Sequence, residues 1–393
     1  MSGPHLGDYF HNRQEPGRPG LPVMSVTMND SLVLREDLDR RTESALRPDQ
    51  HLLVRKGDIA YNMMRMWQGA CGLAEADGVV SPAYVVLAPK PGIDSRFAYH
   101  WFKSARMIHL FWAYSHGLTE DRLRLYFDAF CEIPVAPPPL GQQLRIAATL
   151  DGWDQAIKSA ERLISLTKLA YHSKLNGFAN STNAPNRRLD HVSRSNLLSL
   201  TARTNPDFEF DYFDIAAAED GIDEEVSGRT VFKSAPSRAR RQVLKEGVVY
   251  STVRPLLRRL FVASKRPDAV YSTGYSILEP NEICSVSYLK HILVSSLVER
   301  QIYARLTGSG YPAISENDLA EVQIPLPDMH AQTLIAGELS EIERQHTLYA
   351  QYAKTLRTQK RGLMQKLLTG ERQLDERFDG LAPLVLTAAG GIS

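Results

Sequence analysis

With 393 residues, 43% of them hydrophobic and 23% charged, and a formal net charge of +1, the chain can hold two or three domains with ordinary cores and reads as soluble and globular. A net charge this small singles out no class of partner, so the distribution of charge has to carry that argument. Cys71, Cys131 and Cys284 lack CxxC and Cys/His spacing, which predicts reduced thiols and no zinc. No charged-then-apolar leader opens the chain and no run of about 18 apolar residues could span a bilayer, so a cytoplasmic protein without membrane contact is expected.

Taken in order, the chain opens on Leu6-Gly7-Asp8-Tyr9-Phe10 and a Gly/Pro/Arg loop from Gln14 to Gly20. Mixed structure follows to Leu140, with strand-like runs at Val23 to Thr27, Asp58 to Tyr61 and Ala83 to Ala88, then a helical stretch from Ser95 to Tyr114. Pro134 to Pro139 lacks donors and clashes with helical geometry, so it should form a stiff hinge into a long helix. Ala179 to Arg188 reads as a polar linker and a second mixed region runs to about Gln323. A second long helix ends at Thr369-Gly370, where glycine suits the cap. The Leu/Pro/Gly/Ala tail beyond Gly380 reads as disordered.

The two long helices organise the rest. At alternating steps of four and three, Ile146, Leu150, Trp153, Ile157, Ala160, Ile164, Thr167, Tyr171, Lys174 and Phe178 fall on one stripe, eight of the ten apolar. Adding 189 gives Ile335, Leu339, Ile342, His346, Tyr349, Ala353, Leu356, Lys360, Leu363 and Leu367, seven of them plainly apolar and Tyr349 and His346 able to pack. A 3.5-residue period held over more than four heptads makes helices of about 50 Å wind around each other. One such stripe is ordinarily the buried face of a core helix; two in register favour pairing.

The duplication extends outward. Ile133, Pro134, Pro137, Pro138, Pro139, Leu140 and Gln143 are answered by Ile324, Pro325, Pro327 and Gln332. Lys56-Gly57-Asp58-Ile59-Ala60-Tyr61 is answered by Lys245-Glu246-Gly247-Val248-Val249-Tyr250, and Ser81-Pro82-Ala83-Tyr84 by Ser272-Thr273-Gly274-Tyr275. Pro22 to Thr27 is echoed by Tyr212 to Ala217, and His116-Gly117 by Gly308-Ser309-Gly310-Tyr311. The chain is therefore expected to be two copies of a globular domain followed by a long helix.

Enzymatic readings find little support. Ala136-Pro137-Pro138-Pro139-Leu140 lacks the amide and aromatic of an adenine methyltransferase loop, and Asn205-Pro206-Asp207-Phe208 lacks the second proline. No Gly-rich strand-to-helix turn, Gly-Lys pair, His-Glu-x-x-His, Asp-x-Lys or Glu-x-Lys occurs, so no cofactor or metal is expected in this chain. Charge says more. Arg229, Lys233, Arg238, Arg240, Arg241, Lys245, Arg254, Arg258, Arg259, Lys265 and Arg266 face only Glu246 in their stretch, and nine acids and no base precede them from Asp207 to Glu225. This polarisation suits a phosphate backbone approached from one side. The basic block encloses the repeated Gly-Val-Val-Tyr strand, whose exit carries Thr252 and Arg254; the first copy exits into Asn62, Arg65 and Gln68. Such side chains hydrogen-bond phosphates and base edges, and Asn, Arg and Gln make bidentate contacts in the major groove. The candidate DNA-contacting set is thus Asn62, Arg65, Gln68, Arg238, Arg240, Arg241, Thr252, Arg254, Arg258 and Arg259.

The duplicated proline entry ending in Gln, the Lys-Gly-Asp-Ile-Ala-Tyr strand followed by Ser-Pro-Ala-Tyr, and Arg361-Gly362-Leu363-Met364-Gln365-Lys366-Leu367-Leu368-Thr369-Gly370 resemble the DNA specificity subunits of type I restriction-modification systems, over residues 6 to about 375. The resemblance implies an α+β fold with a pseudo-twofold internal repeat: recognition domains at 1–139 and 189–327, spacer helices at 140–178 and 328–370 forming an antiparallel coiled coil, a linker at 179–188 and a tail at 371–393. Each domain would read one half of a bipartite, asymmetric double-stranded DNA target. Ile146, Leu150, Trp153, Ile157, Ile164 and Tyr171 would form the seam with Ile335, Leu339, Ile342, Leu356, Leu363 and Leu367. Two modification subunits would dock, bind S-adenosylmethionine and methylate adenine N6 after flipping it. Restriction subunits would add ATP- and Mg-dependent translocation and cleavage, and this chain would be non-catalytic. The family's first strand would be short here, Leu189-Asp190-His191 stands where Leu-Gly-Asp is expected, and Glu371 to Phe378 would close back on the first domain. The alternative is a coiled-coil scaffold that binds only protein; a free-standing methyltransferase or nuclease is the third reading.

Overall fold

The computed structural model describes residues 3–28, 31–38, 46–119, 122–215, 227–308 and 310–375. The expectations for Ala216–Ala217, for the acids from Glu219 to Glu225, and for the tail from residue 376 onward lie outside them. Two compact units divide the chain: Met1–Ala160 with Tyr352–Ser393, and Glu161–Gln351.

The first unit begins with α1 (Leu6–Tyr9), β1 (Phe10–Asn12), β2 (Met24–Val26), β3 (Leu32–Leu34), β4 (Leu52–Val54), β5 (Ile59–Asn62), β6 (Cys71–Leu73), β7 (Gly78–Val80) and β8 (Tyr84–Pro89). The helices α2 (Ser95–Phe102), α3 (Ala105–Ala113) and α4 (Phe127–Cys131) follow. Its main sheet has the order β1-β8-β5-β6, all antiparallel, with smaller β2-β3 and β4-β7 pairs beside it. The Lys56-Gly57-Asp58 turn launches β5: Gly57 takes φ +93°, and the buried Asp58 carboxylate accepts the Arg55 amide at 2.8 Å and the Arg13 guanidinium at 2.7 Å. On one face β5 and β8 bury Ile59, Tyr61, Val85 and Leu87 against Phe97, Phe102, Phe111 and Phe130, and the rings of Tyr61, Phe102, Phe111 and Phe130 meet edge-on or stacked at 5.4–6.2 Å. The single helix expected from Ser95 to Tyr114 is two. Ser104 breaks it, because its side chain accepts the Met107 amide and caps α3.

The long α5 (Leu140–Ser181) connects to β9 (Asn186–Arg188), α6 (Leu189–Val192), β10 (Ser193–Ser195), β11 (Leu198–Ser199), β12 (Glu209–Phe213), β13 (Gly228–Val231), β14 (Ala239–Gln242), β15 (Glu246–Ser251), β16 (Leu260–Ser264), β17 (Ala269–Ser272) and β18 (Tyr275–Pro280). Then come α7 (Val286–Ile292), α8 (Ser296–Tyr303), α9 (Glu316–Ala320), β19 (Gln323–Pro325) and α10 (Met329–Leu368). The sheet β10-β18-β15-β16 repeats the order of the first unit. The second sheet, β11-β14-β17-β12-β13, fuses what the first unit keeps as separate pairs: β12 lies parallel to β17, where the described residues of the first unit have a parallel bridge from Val23 to Val79. Most of the stretch read as a linker is regular structure, since α5 runs to Ser181 and β9 pairs with β19. The counterpart of β9 in the first unit is the single bridge from His5 to Pro134, flanked by Leu6 N–H to Ile133 and Val135 N–H to Pro4. Yet β1 and β10 are equally long at three residues, so the shortened element is the one before α1.

The helices are antiparallel within each unit. In the first, Asp154 meets Lys360 at 2.5 Å, while Ile146 and Leu150 share a core with Leu363 and Leu367. In the second, Thr167 meets His346 at 3.2 Å and Lys174 meets Glu338 at 2.9 Å, so one number rises as the other falls. Ile146, Leu150, Ile157, Leu339, Leu356 and Leu367 are buried; Trp153, Ile164, Tyr171, Ile335, Ile342 and Leu363 are half-buried. Lys174 leaves the stripe for solvent. Leu175 and Ala179 replace it inside, because near its C-terminal end α5 packs on the globular core as well as on α10. At Gly370, φ +76° ends α10, and Leu374 then packs into the core of the first unit while its carbonyl accepts from Gln142 at 3.1 Å.

Candidate nucleic-acid interface

The repeated glutamines are anchors. Buried Gln143 accepts the Asp94 amide at 2.8 Å and donates to the carbonyls of Gly92 at 3.1 Å and Pro138 at 2.8 Å. Buried Gln332 does the same with Ser285 at 2.8 Å, Ile283 at 2.8 Å and Pro327 at 2.9 Å. Each side chain closes the proline entry onto the turn before α2 or α7. One buried histidine in each unit strengthens the same seam. His100 bonds Asp151 at 2.8 Å, and His291 sits between Ser340 and Tyr171, both at 2.9 Å. Burial pushes His291 down to about 4, so it is neutral near pH 7. Burial also pushes the thiol of Cys71 up to about 11 and that of Cys284 up to about 12, which removes them as nucleophiles.

The exits of β5 and β15 share one scaffold. Leu125 N–H donates to Met63 O at 2.9 Å in the first unit, and Ile314 N–H to Thr252 O at 2.9 Å in the second. What the scaffold presents differs. In the first unit Asn62 turns its side-chain oxygen back to the Met64 amide at 3.0 Å, and exposed Arg65 reaches Gln68 at 3.1 Å, so the three predicted residues are neighbours on one turn. That turn closes at Gly69 with φ +86°.

In the second unit the same turn, Pro255–Leu257, is flanked by Arg254 at φ +50° and Arg258 at φ +56°. A left-handed non-glycine residue costs about 1–2 kcal/mol and needs something to hold it. Glu299 holds Arg258 at 2.6 Å. Arg254 donates its backbone N–H to Pro312 at 2.7 Å, and its guanidinium lies 4.6 Å over the ring of Tyr311, itself 73% exposed.

Of the other predicted cations, Arg241 is half-buried and paired with Glu316, and Arg259 donates to Ile215 O at 3.1 Å. Arg240 lies 5.0 Å over Phe232. Part of the acidic stretch returns as counter-ions: Asp207 binds Lys233 at 2.7 Å, and Asp211 binds Arg229 at 3.2 Å and Arg266 at 2.8 Å. The basic block is therefore less polarised than its sequence. Among the described residues, exposed Arg238 and Arg254 form no ion pair. Backbone bonds join them: Thr273 N–H to Arg238 O at 2.8 Å, and Thr252 N–H to Gly274 O at 2.9 Å. Thr252 also spends its hydroxyl on Gly274 O at 2.8 Å. A row Arg238, Thr273, Thr252, Arg254, Tyr311 results. The sequence reading missed Thr273 and Tyr311, although both lie in echoed motifs, at 272–275 and 308–311.

Comparison of the sequence with models of known protein families and with curated proteins gives no match. Among solved structures, the type I restriction-modification S subunit from M. genitalium is similar to this chain at 15% identity and a TM-score of 0.56, over 92% of this chain and 94% of that one. A chain from a structure of complex assembly and conformational transition in the type I restriction-modification system is similar at 18% identity and a TM-score of 0.50, over 92% and 98%. The chain has the fold of a type I S subunit. Among the described residues of this S-subunit fold, no group of three His, Cys, Asp or Glu is placed to hold a metal ion, and no helix is long and apolar enough to cross a membrane.

Proposed function

We propose that the chain is the DNA-reading specificity subunit of a type I restriction-modification complex, recognising a bipartite, asymmetric target and positioning modification and restriction subunits without catalysing a reaction itself. The observation that carries the reading is one exit scaffold built twice around a shared arginine with different polar neighbours: Asn62 and Gln68 beside Arg65 in one unit, Thr252 and Tyr311 beside Arg254 in the other. Repeated exit scaffolds with divergent polar neighbours suit the reading of two different half-sites. The paired helices would set the spacing between half-sites. Leu163, Leu166 and Leu169 on α5, with Leu334 and Leu348 on α10, leave 39–66% of their surface exposed, an apolar face that docked modification subunits would cover. S-adenosylmethionine, ATP and Mg belong to those partners in this reading, and the complex works in the cytoplasm.

Co-expression with a cognate modification subunit, followed by mapping of N6-methyladenine by long-read sequencing, tests the reading. The expected result is a split motif with a fixed gap, in which exchanging either unit's globular region changes one half only. Methylation with no motif, or a motif insensitive to both exchanges, would favour a scaffold that binds protein alone.

A further inference from the structure

The geometry points to the Arg254–Tyr311 stack as the specificity-determining element of the second unit, set to read a guanine through its major-groove edge. This rests on the DNA-reading function proposed above. Three observations converge on the pair. Arg254 holds a left-handed backbone although no ion pair among the described residues requires it, whereas the equally left-handed Arg258 is tied to Glu299. The bond from Arg254 N–H to Pro312 fixes that backbone against the segment that carries Tyr311. The guanidinium carbon then lies 4.6 Å over the ring centre of the exposed tyrosine.

A guanidinium held over an aromatic ring spends none of its N–H donors on the ring's edge and can still offer two of them side by side. Those two donors match the O6 and N7 acceptors of guanine, and a side chain already held by its ring and backbone loses little freedom on binding. Among its described residues the first unit shows no such pair. Arg65, at the matching position, has an ordinary negative φ of −132° and bonds Gln68 instead, and Arg122 stands at the register of Tyr311. The two exits should therefore read their bases by different means.

The test uses the full chain with its modification subunit and the methylation map as readout. Arg254→Gly suits the left-handed backbone and so keeps the turn; Arg254→Lys keeps the charge and loses the fork. Both are expected to leave one half of the motif intact and relax a single guanine in the other, by roughly ten- to a hundredfold in preference for that base. Tyr311→Ala should relax the same position, while Tyr311→Phe, which keeps the ring under the guanidinium, should retain the guanine. A wild-type map without a split motif overturns the DNA-reading function and this assignment with it. A split motif that survives Arg254→Gly unaltered overturns the assignment alone. So does an unaltered motif methylated more weakly at every site with Arg254→Gly and restored by Arg254→Lys, which would make Arg254 a phosphate contact.

Discussion

Replacing Gln332 with leucine should cost the second unit about 3 kcal/mol. The substitution keeps the volume but strips three part-buried backbone groups, gathered round the fully buried Gln332 side chain, of their partner: the Ser285 amide and the carbonyls of Ile283 and Pro327. Each orphaned group costs about 1–3 kcal/mol; the carbonyls fall at the low end, and leucine's own burial returns about 1 kcal/mol. For a unit with a urea slope near 2 kcal/mol/M, the midpoint should drop by about 1.5 M at unchanged slope. All four tryptophans, Trp67, Trp101, Trp112 and Trp153, lie in the first unit, so their emission reports that unit while far-UV circular dichroism reports both. Gln332→Leu should shift the dichroism transition and spare the tryptophan one; Gln143→Leu should shift the tryptophan transition. A loss under about 1 kcal/mol, or the wrong probe moving, would refute the anchoring role.

Three further outcomes follow from named residues. His291 is held down to about 4 when folded, so between its ordinary 6.5 and about 4 the unfolded chain binds a proton that the folded chain refuses. Its contribution is full above pH 6.5 and lost as pH falls towards 4, by up to about 3 kcal/mol, and His291→Gln should flatten the stability profile in that window; equal slopes in both proteins would remove His291 as the cause. At the left-handed position 258, Arg258→Gly should remain within about 1 kcal/mol of wild type, because relief of the backbone offsets a half-exposed ion pair, while Arg258→Ala falls about 1–2 kcal/mol below the glycine variant by thermal denaturation. Deleting one heptad from each of α5 and α10 should alter the gap between methylated half-sites, and a constant gap would exclude the helices as the spacer.

The sequence was most legible where period and repetition spoke together. A 3.5-residue stripe written twice identified the paired helices, and the fixed offset placed β5 opposite β15 and β8 opposite β18. Position 174 escaped this logic because a strict heptad assumes a single neighbour, whereas α5 near its C-terminal end packs against both a helix and a sheet domain. The break at Ser104 was hidden because a capping serine inside an apolar run looks like any small helix residue. Candidate contacts were the least legible. Arg241 and Arg258 look like Arg254 in a string of letters, but Glu316 and Glu299, 75 and 41 residues away, engage two of them and leave the third on Tyr311.

The first unit is assembled from both ends of the chain. Leu363, Leu367 and Leu374 pack with Leu6, Phe10 and Leu150, so the core that Leu6 and Phe10 begin is finished only by residues about 350 positions downstream. On the ribosome this reverses the usual order. Residues 161–351 can close once the first half of α10 has emerged, while the core of the first unit stays unfinished until Leu363, Leu367 and Leu374 follow. A product truncated before Tyr352 would keep a foldable second unit beside an unfinished first one, and quality control would meet it as a misfolded protein.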